Sequence, residues 1–306
     1  MISIQNLCKS FGDLVAVDQL SLEIREGEIL GFLGPNGAGK TTTIHMLCGL
    51  LDRDAGKILW NDQSTLNNLS IGFCPQENVF WPKLTCLEQM VFSGQMYGMP
   101  KNEAKIRGSQ LLETLALSAK ADERASRLSG GMKRRLNVAL ALIHDPEILI
   151  FDEPESGLDP QSRLLVRELI KNLAFKKTVI ITSHNMDEIE RLAHRVAIID
   201  HGKLLKLDTV DNLIASVGDG DRLEISIPPA TDPDSINKLL LALEPNSESV
   251  TTANDRLLIR SNRAVDLIPE VVAKLTEFGI DHGEVQLRKN SLEDVFIHLT
   301  GRGLRE

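Results

Sequence analysis

At 306 residues, with 42% hydrophobic content and a formal net charge of −9, the chain can bury a large core in two domains and is too acidic for a general nucleic-acid binder. Its four cysteines, Cys8, Cys48, Cys74 and Cys86, show no CxxC spacing, so reduced thiols are expected rather than a zinc site or a disulfide framework. No apolar run approaches the roughly 20 residues that span a bilayer, and Met1–Asn6 begins as a strand pattern rather than a signal peptide, so any membrane crossing is expected from another polypeptide.

Ser3–Leu7 and Ala16–Ile24 alternate as an antiparallel β pair, with Phe11 between them. Glu28–Leu33 reads as a buried strand, Gly34-Pro35-Asn36-Gly37-Ala38-Gly39-Lys40-Thr41 follows, and Thr41-Thr42-Thr43 opens a helix running to Leu47. Strand, glycine-rich loop and helix N-terminus together present inward-facing backbone N–H groups and a positive dipole end, which suits a polyphosphate. Lys40 is expected to pair with the β- and γ-phosphates and the Thr41 hydroxyl to ligate Mg²⁺.

Residues 77–128 are richer in helical pattern, as over Lys101–Leu117, and carry Phe80, Trp81, Phe92 and Tyr97 close to Gln76. Those aromatics suit core packing, with a partner groove as the alternative. From Ser129 the alternation of strand and helix returns. Ser129-Gly130-Gly131 precedes an amphipathic helix with its apolar stripe through Met132, Leu136, Ala139, Leu140 and Ile143. Taken alone, Ser129 is equally an ordinary N-cap or an anion site. Strands are expected at 148–152, 178–182 and 195–200. Asp152 and Glu153 close the first of these, where open α/β sheets bind ligands. Adjacent carboxylates on an extended chain point to opposite sides, so Asp152 can serve Mg²⁺ while Glu153 faces water as general base.

Leu128-Ser129-Gly130-Gly131 at this distance from an Asp-Glu strand, with a phosphate loop upstream, resembles the nucleotide-binding subunit of ATP-binding-cassette (ABC) transporters. The resemblance covers residues 1–208 and implies an α/β fold: a P-loop NTPase domain of ABC type with antiparallel β and helical subdomains. It implies that Gln76 senses Mg²⁺ and water, that His184 holds the γ-phosphate, that Phe11 stacks on adenine, and that Asp159, in Ser156-Gly157-Leu158-Asp159-Pro160, lies on a loop crossing a dimer interface. Ser129, Gly130 and Gly131 would complete the ATP site of a second ABC ATPase subunit, giving a head-to-tail homodimer beside a multi-span membrane permease at the cytoplasmic face.

ABC-type proteins of DNA repair and chromosome organisation carry long coiled coils, which this chain lacks, and no nucleic-acid partner is expected. A soluble ABC-type regulator of a non-membrane target is the alternative, but such chains usually hold two cassettes, and an interaction-only scaffold would not need Lys40, Asp152, Glu153 and His184 together. Glu155 departs from the family pattern, where threonine or asparagine is usual. It either raises the proton affinity of Glu153 or points to solvent, and solvent is the expectation.

The cassette is expected to fill residues 1–218, followed by a linker at Gly218-Asp219-Gly220-Asp221 and a small α+β domain over 219–306. Its elements read β-α-β-β-α-β, the order of a ferredoxin-like fold, plus a last helix with a Ser291 cap and a Gly301 stop. That last segment, Ser291-Leu292-Glu293-Asp294-Val295-Phe296, resembles the ending of ATPase subunits from drug-, lipid- and polyketide-exporting systems.

Overall fold

The computed structural model describes residues 1–61, 71–217, 221–228, 231–247, 249–253, 256–261 and 264–301. The chain divides into two compact units, Met1–Val210 and Asp211–Gly303, ahead of the expected boundary at 218/219. Residues 218–220 of the expected linker lie outside the described set, and Asp221 already belongs to a strand.

The first unit opens with β1 (Ile2–Phe11) and β2 (Leu14–Ile24), both longer than the alternation suggested because the pairing continues through register shifts to Phe11 and Leu14. Next come β3 (Ile29–Leu33), α1 (Lys40–Leu47), β4 (Ala55–Trp60) and β5 (Ile71–Cys74). β2, β1 and β4 form a three-stranded antiparallel sheet. Ile2 and Ile4 face Ile24 and Leu22 across the ladder and share one core with Leu30, Phe32, Ile44, Ile150 and Ile180. One buried face per strand is what their period-2 pattern encodes.

Helices α2 (Cys86–Met96) and α3 (Lys101–Thr114) build the helical segment. Thr85 and Glu88 form a capping box at the start of α2. The two helices cross closely because a Cβ on Gly94 would stand 2.7 Å from that of Ala104, and one on Gly108 2.7 Å from that of Met90. Then follow α4 (Gly130–Leu142), β6 (Ile148–Asp152), α5 (Pro160–Ala174), β7 (Thr178–Ser183), α6 (Met186–Leu192), β8 (Arg195–Asp200) and β9 (Lys203–Thr209).

A six-stranded sheet has the order β5-β6-β7-β3-β8-β9, parallel except for β9. β3 and β7 are buried along their full length, as expected for strands covered on both faces. Four neighbouring strands, β5, β6, β7 and β3, therefore deliver their carboxyl ends side by side. Those ends carry Gln76, Asp152-Glu153, His184 and the phosphate loop.

α7 (Val210–Ala215) starts at the last residue of the first unit, and the second unit goes on with β10 (Asp221–Ser226), α8 (Pro233–Leu243), β11 (Ser249–Ala253), β12 (Arg256–Ser261), α9 (Ala264–Glu277), β13 (Val285–Arg288) and α10 (Leu292–Thr300). Its four antiparallel strands run β11-β12-β10-β13, so the first and third strands of the βαββαβ order are central, the ferredoxin-like arrangement. Leu223, Ile225, Leu257 and Ile259 on the sheet pack with Leu239, Val271 and Leu275 from α8 and α9 in a core of their own.

Candidate nucleotide site

The phosphate loop is fixed by close backbone approach. A Cβ on Gly34 would sit 2.2 Å from the Ile199 carbonyl oxygen, and one on Gly39, at φ +99°, 2.3 Å from that of Ala16. Only glycine fits either place. Pro35 accepts from the Ala38 N–H at 3.2 Å, Ala38 is buried, Asn36 and Gly37 are exposed, and Thr43 Oγ1 closes the first helical turn onto the Gly39 carbonyl at 2.9 Å. Thr42 is half-buried beside it.

Lys40 is buried, and its ammonium donates to the carbonyls of Gly34 at 2.7 Å and Pro35 at 3.0 Å. Burial holds its pKa below the usual lysine value, opposed by the charges of Glu153 and Asp152. Thr41 Oγ1 donates to Asp152 Oδ2 at 3.2 Å, and Thr182 Oγ1 donates to the other oxygen of Asp152.

Glu153 lies just beyond β6 in the left-handed region, at φ +50°, a conformation costing about 1 kcal/mol for a side chain with a Cβ. Its N–H is held by both the backbone and the side-chain oxygen of Thr182, each at 3.1 Å. The two acids do address different groups, but the cause is this turn rather than strand alternation. The Glu153 carboxylate is bracketed: Gln76 Nε2 donates to Oε2 at 3.2 Å, and His184 Nδ1 lies 2.6 Å from Oε1. Gln76 and His184 are themselves exposed, whereas the Glu153 side chain is 8% exposed.

Ser129 caps α4, its Oγ accepting from the Met132 N–H at 3.3 Å, and stands exposed with Gly130. A Cβ on Gly131 would meet Asp159 Oδ2 at 3.4 Å, so this turn lies against the loop carrying Asp159. Asp159 caps α5 through Ser162, and that backbone hydrogen bond, then the Ser162 hydroxyl, holds its carboxyl below the usual range. Phe11 is half exposed at the β1–β2 turn, with Lys9 Nζ 5.7 Å from its ring centroid. Of the aromatics near Gln76, Trp81 and Phe92 meet edge to face at 4.8 Å, Phe80 lies under Lys133, and Tyr97 stacks on His144 instead.

The expectation that Glu155 faces solvent fails. Its side chain is 5% exposed and takes a bidentate pair from Arg167, at 2.8 and 2.6 Å. Twelve residues on, one face of α5 brings the guanidinium back under the loop, and bidentate Arg–carboxylate geometry is the strong form of the pair. Sequence reasoning also missed Thr182, Glu188 and Arg134. Glu188 is buried against Ser183, whose hydroxyl donates to it at 2.6 Å; burial first, then the charges of Glu155 and Glu153, push its pKa up to about 7. Cys74 and Cys48 are pushed up by burial to about 11 and about 12, so both are neutral thiols.

A domain family described as ABC transporter matches residues 17–156. Over its whole length the chain is 36% identical to the linearmycin resistance ATP-binding protein LnrL of Bacillus subtilis (strain 168), covering 100% of both chains. The chain belongs to the ABC transporter ATPase family. It is 37% identical to the Nod factor export ATP-binding protein I of Paraburkholderia xenovorans (strain LB400), covering 100% of this chain and 98% of the other. A dimeric bacterial ABC transporter cassette aligns with TM-score 0.64 at 26% identity, over 68% of this chain and 98% of that one. A second dimeric cassette, in a post-hydrolysis state bound to ADP and Pi, aligns with TM-score 0.63 at 25% identity, over 68% and 98%. As an ABC ATPase, the chain binds and hydrolyses ATP. No helix among the described residues is long and apolar enough to cross a membrane.

Proposed function

We propose that the chain is the ATP-hydrolysing subunit of an exporter, working as a head-to-tail dimer at the cytoplasmic face of the membrane beside a separate multi-span permease. Relatives named for resistance and export support the exporter reading, and the dimeric cassette supports the pairing. The observation that carries the chemistry is the Glu153 carboxylate held between Gln76 and His184, next to an Asp152 that engages Thr41.

ATP lies with its phosphates in the Gly34–Thr42 loop, Lys40 leaving the Gly34 and Pro35 carbonyls for the β- and γ-phosphates. Phe11, exposed at its turn, is the stacking surface for adenine. Thr41 Oγ1 and Asp152 Oδ2, with the amide oxygen of Gln76, make an all-oxygen donor set that fits Mg²⁺. Held by these residues, Mg²⁺ would supply charge neutralisation for the phosphates. Glu153 accepts a proton from the attacking water, which Gln76 orients, and His184 holds the γ-phosphate. Ser129, Gly130, Gly131 and Asp159 of one subunit face the nucleotide of the other. The helical segment around Gln76 carries closure to the permease, and the second unit supports assembly of the pair.

Composite sites require two chains, so ATPase rate per chain should rise with protein concentration. Strict proportionality over a range in which light scattering shows monomers would contradict the dimer. Affinity capture from detergent-solubilised membranes should bring down a multi-span protein; recovery of the chain with none would contradict the permease.

A further inference from the structure

Five backbone carbonyls converge on one side chain. Arg134, in the second turn of α4, is 3% exposed. Its Nε donates to the Pro154 carbonyl at 3.3 Å; one terminal nitrogen donates to Pro75 and, at 3.1 Å, to Gln76; the other donates to Asp152 at 2.6 Å and Glu153 at 2.9 Å. Every one of the five N–H donors of the guanidinium is engaged. A charge this deeply buried is tolerated because the carbonyl dipoles replace its hydration, and the planar fork fixes where the two groups of carbonyls stand relative to each other.

One group belongs to the Gln76 loop and the other to the end of β6. Thus a single rigid plane joins the backbones from which Gln76 and Glu153 project. Asn137, one turn further along α4, adds to the same face: its Nδ2 donates to Pro75 and Glu77 at 3.4 Å each, and its Oδ1 accepts from the Val79 N–H at 3.3 Å. Below it α4 touches β5 directly, since a Cβ on Gly72 would lie 2.2 Å from the Ala141 carbonyl oxygen. The helix capped by Ser129 is therefore seated on β5 and the Gln76 loop through Arg134, Asn137 and Ala141.

We propose that Arg134 is a positioning residue for hydrolysis: it sets Glu153 and Gln76 relative to each other through their backbones and ties that pair to the helix beginning at Ser129. The role rests on Glu153 being the base. Lysine at this place keeps the charge but carries its donors on one nitrogen, so it cannot bridge both loops in the same geometry.

The test compares full-length Arg134→Lys, Glu153→Gln and the double variant, with ATP as substrate and a fluorescent ATP analogue as binding probe. Arg134→Lys should bind the analogue within about threefold of the parent, lower kcat by about tenfold, and move KM by less than about threefold. Added to Glu153→Gln, it should cost less than about twofold more, because the group it positions is already unable to take the proton. Unchanged kcat, an equal loss in both backgrounds, or loss of binding together with kcat would each overturn the role, the last by making Arg134 a clamp of the fold alone. Near-parental hydrolysis by Glu153→Gln would instead remove the base assignment and, with it, the route through Glu153.

Discussion

His184 Nδ1 lies 2.6 Å from Glu153 Oε1, across the ends of two adjacent parallel strands. The pairing of Asp152 with Thr182 in the ladder sets this meeting, since each catalytic candidate stands just past its strand. Nδ1 and Nε2 lie on different edges of an imidazole, and the His184 side chain is half exposed, so the proposed contact to the γ-phosphate would be made through Nε2.

His184→Ala should therefore lower kcat by on the order of 10² while leaving ATP affinity within a few-fold, because it removes both the proposed contact to the reacting phosphate and the side chain that brackets Glu153 Oε1. Steady-state ATPase assays alongside equilibrium binding check it. Equal losses in both would mean that His184 serves binding rather than the reaction.

The Glu155–Arg167 pair predicts a stability effect. Glu155→Ala strands a largely buried guanidinium, at a cost of about 3 kcal/mol. Replacing both residues by leucine should recover most of that loss, since two apolar side chains leave no charge behind. Urea unfolding measures it; a loss below about 1 kcal/mol for the single variant would show the pair to be solvent-screened.

How much of this was legible in sequence depended on what each side chain binds. The phosphate loop announces itself because strand, glycines, lysine and helix are contiguous, and Asp152 and His184 close apolar runs that can only be central strands. The ferredoxin-like unit followed from the order of its elements. Other features left no local trace. Arg134 binds main-chain carbonyls, which any sequence supplies, so nothing in the composition of residues 75 or 154 marks it. Glu155 looked solvated because its partner lies on a helix whose facing side is set by tertiary packing. α2 was hidden because its apolar residues are divided between core positions such as Met90 and exposed ones such as Phe92 and Met96.

Glu188 gives a pH dependence. In the folded chain it keeps its proton up to about pH 7, whereas its ordinary value is 4.5. The folded state thus holds an extra proton between those values, so this group's contribution is at its most favourable below pH 4.5 and falls by about 3 kcal/mol as pH rises to about 7. Glu188→Gln cannot titrate. Its stability relative to the parent should improve by about that amount between pH 5 and pH 8, read from denaturant midpoints. A difference that stays constant with pH would place the Glu188 pKa near its ordinary value.

If Glu153 is the base, and bound ATP rather than its cleavage closes the dimer, then blocking proton transfer should trap the closed pair. Glu153→Gln keeps size and hydrogen bonding to Gln76 and His184 but cannot accept the proton. Lys40→Ala, by contrast, should lose phosphate affinity and form no nucleotide-dependent dimer. The decisive measurement is sizing chromatography of Glu153→Gln with ATP and Mg²⁺, run beside its turnover. A stable ATP-bound dimer and turnover reduced by on the order of 10²–10⁴ are expected. Near-normal hydrolysis would contradict it, as would a variant that binds ATP and remains monomeric.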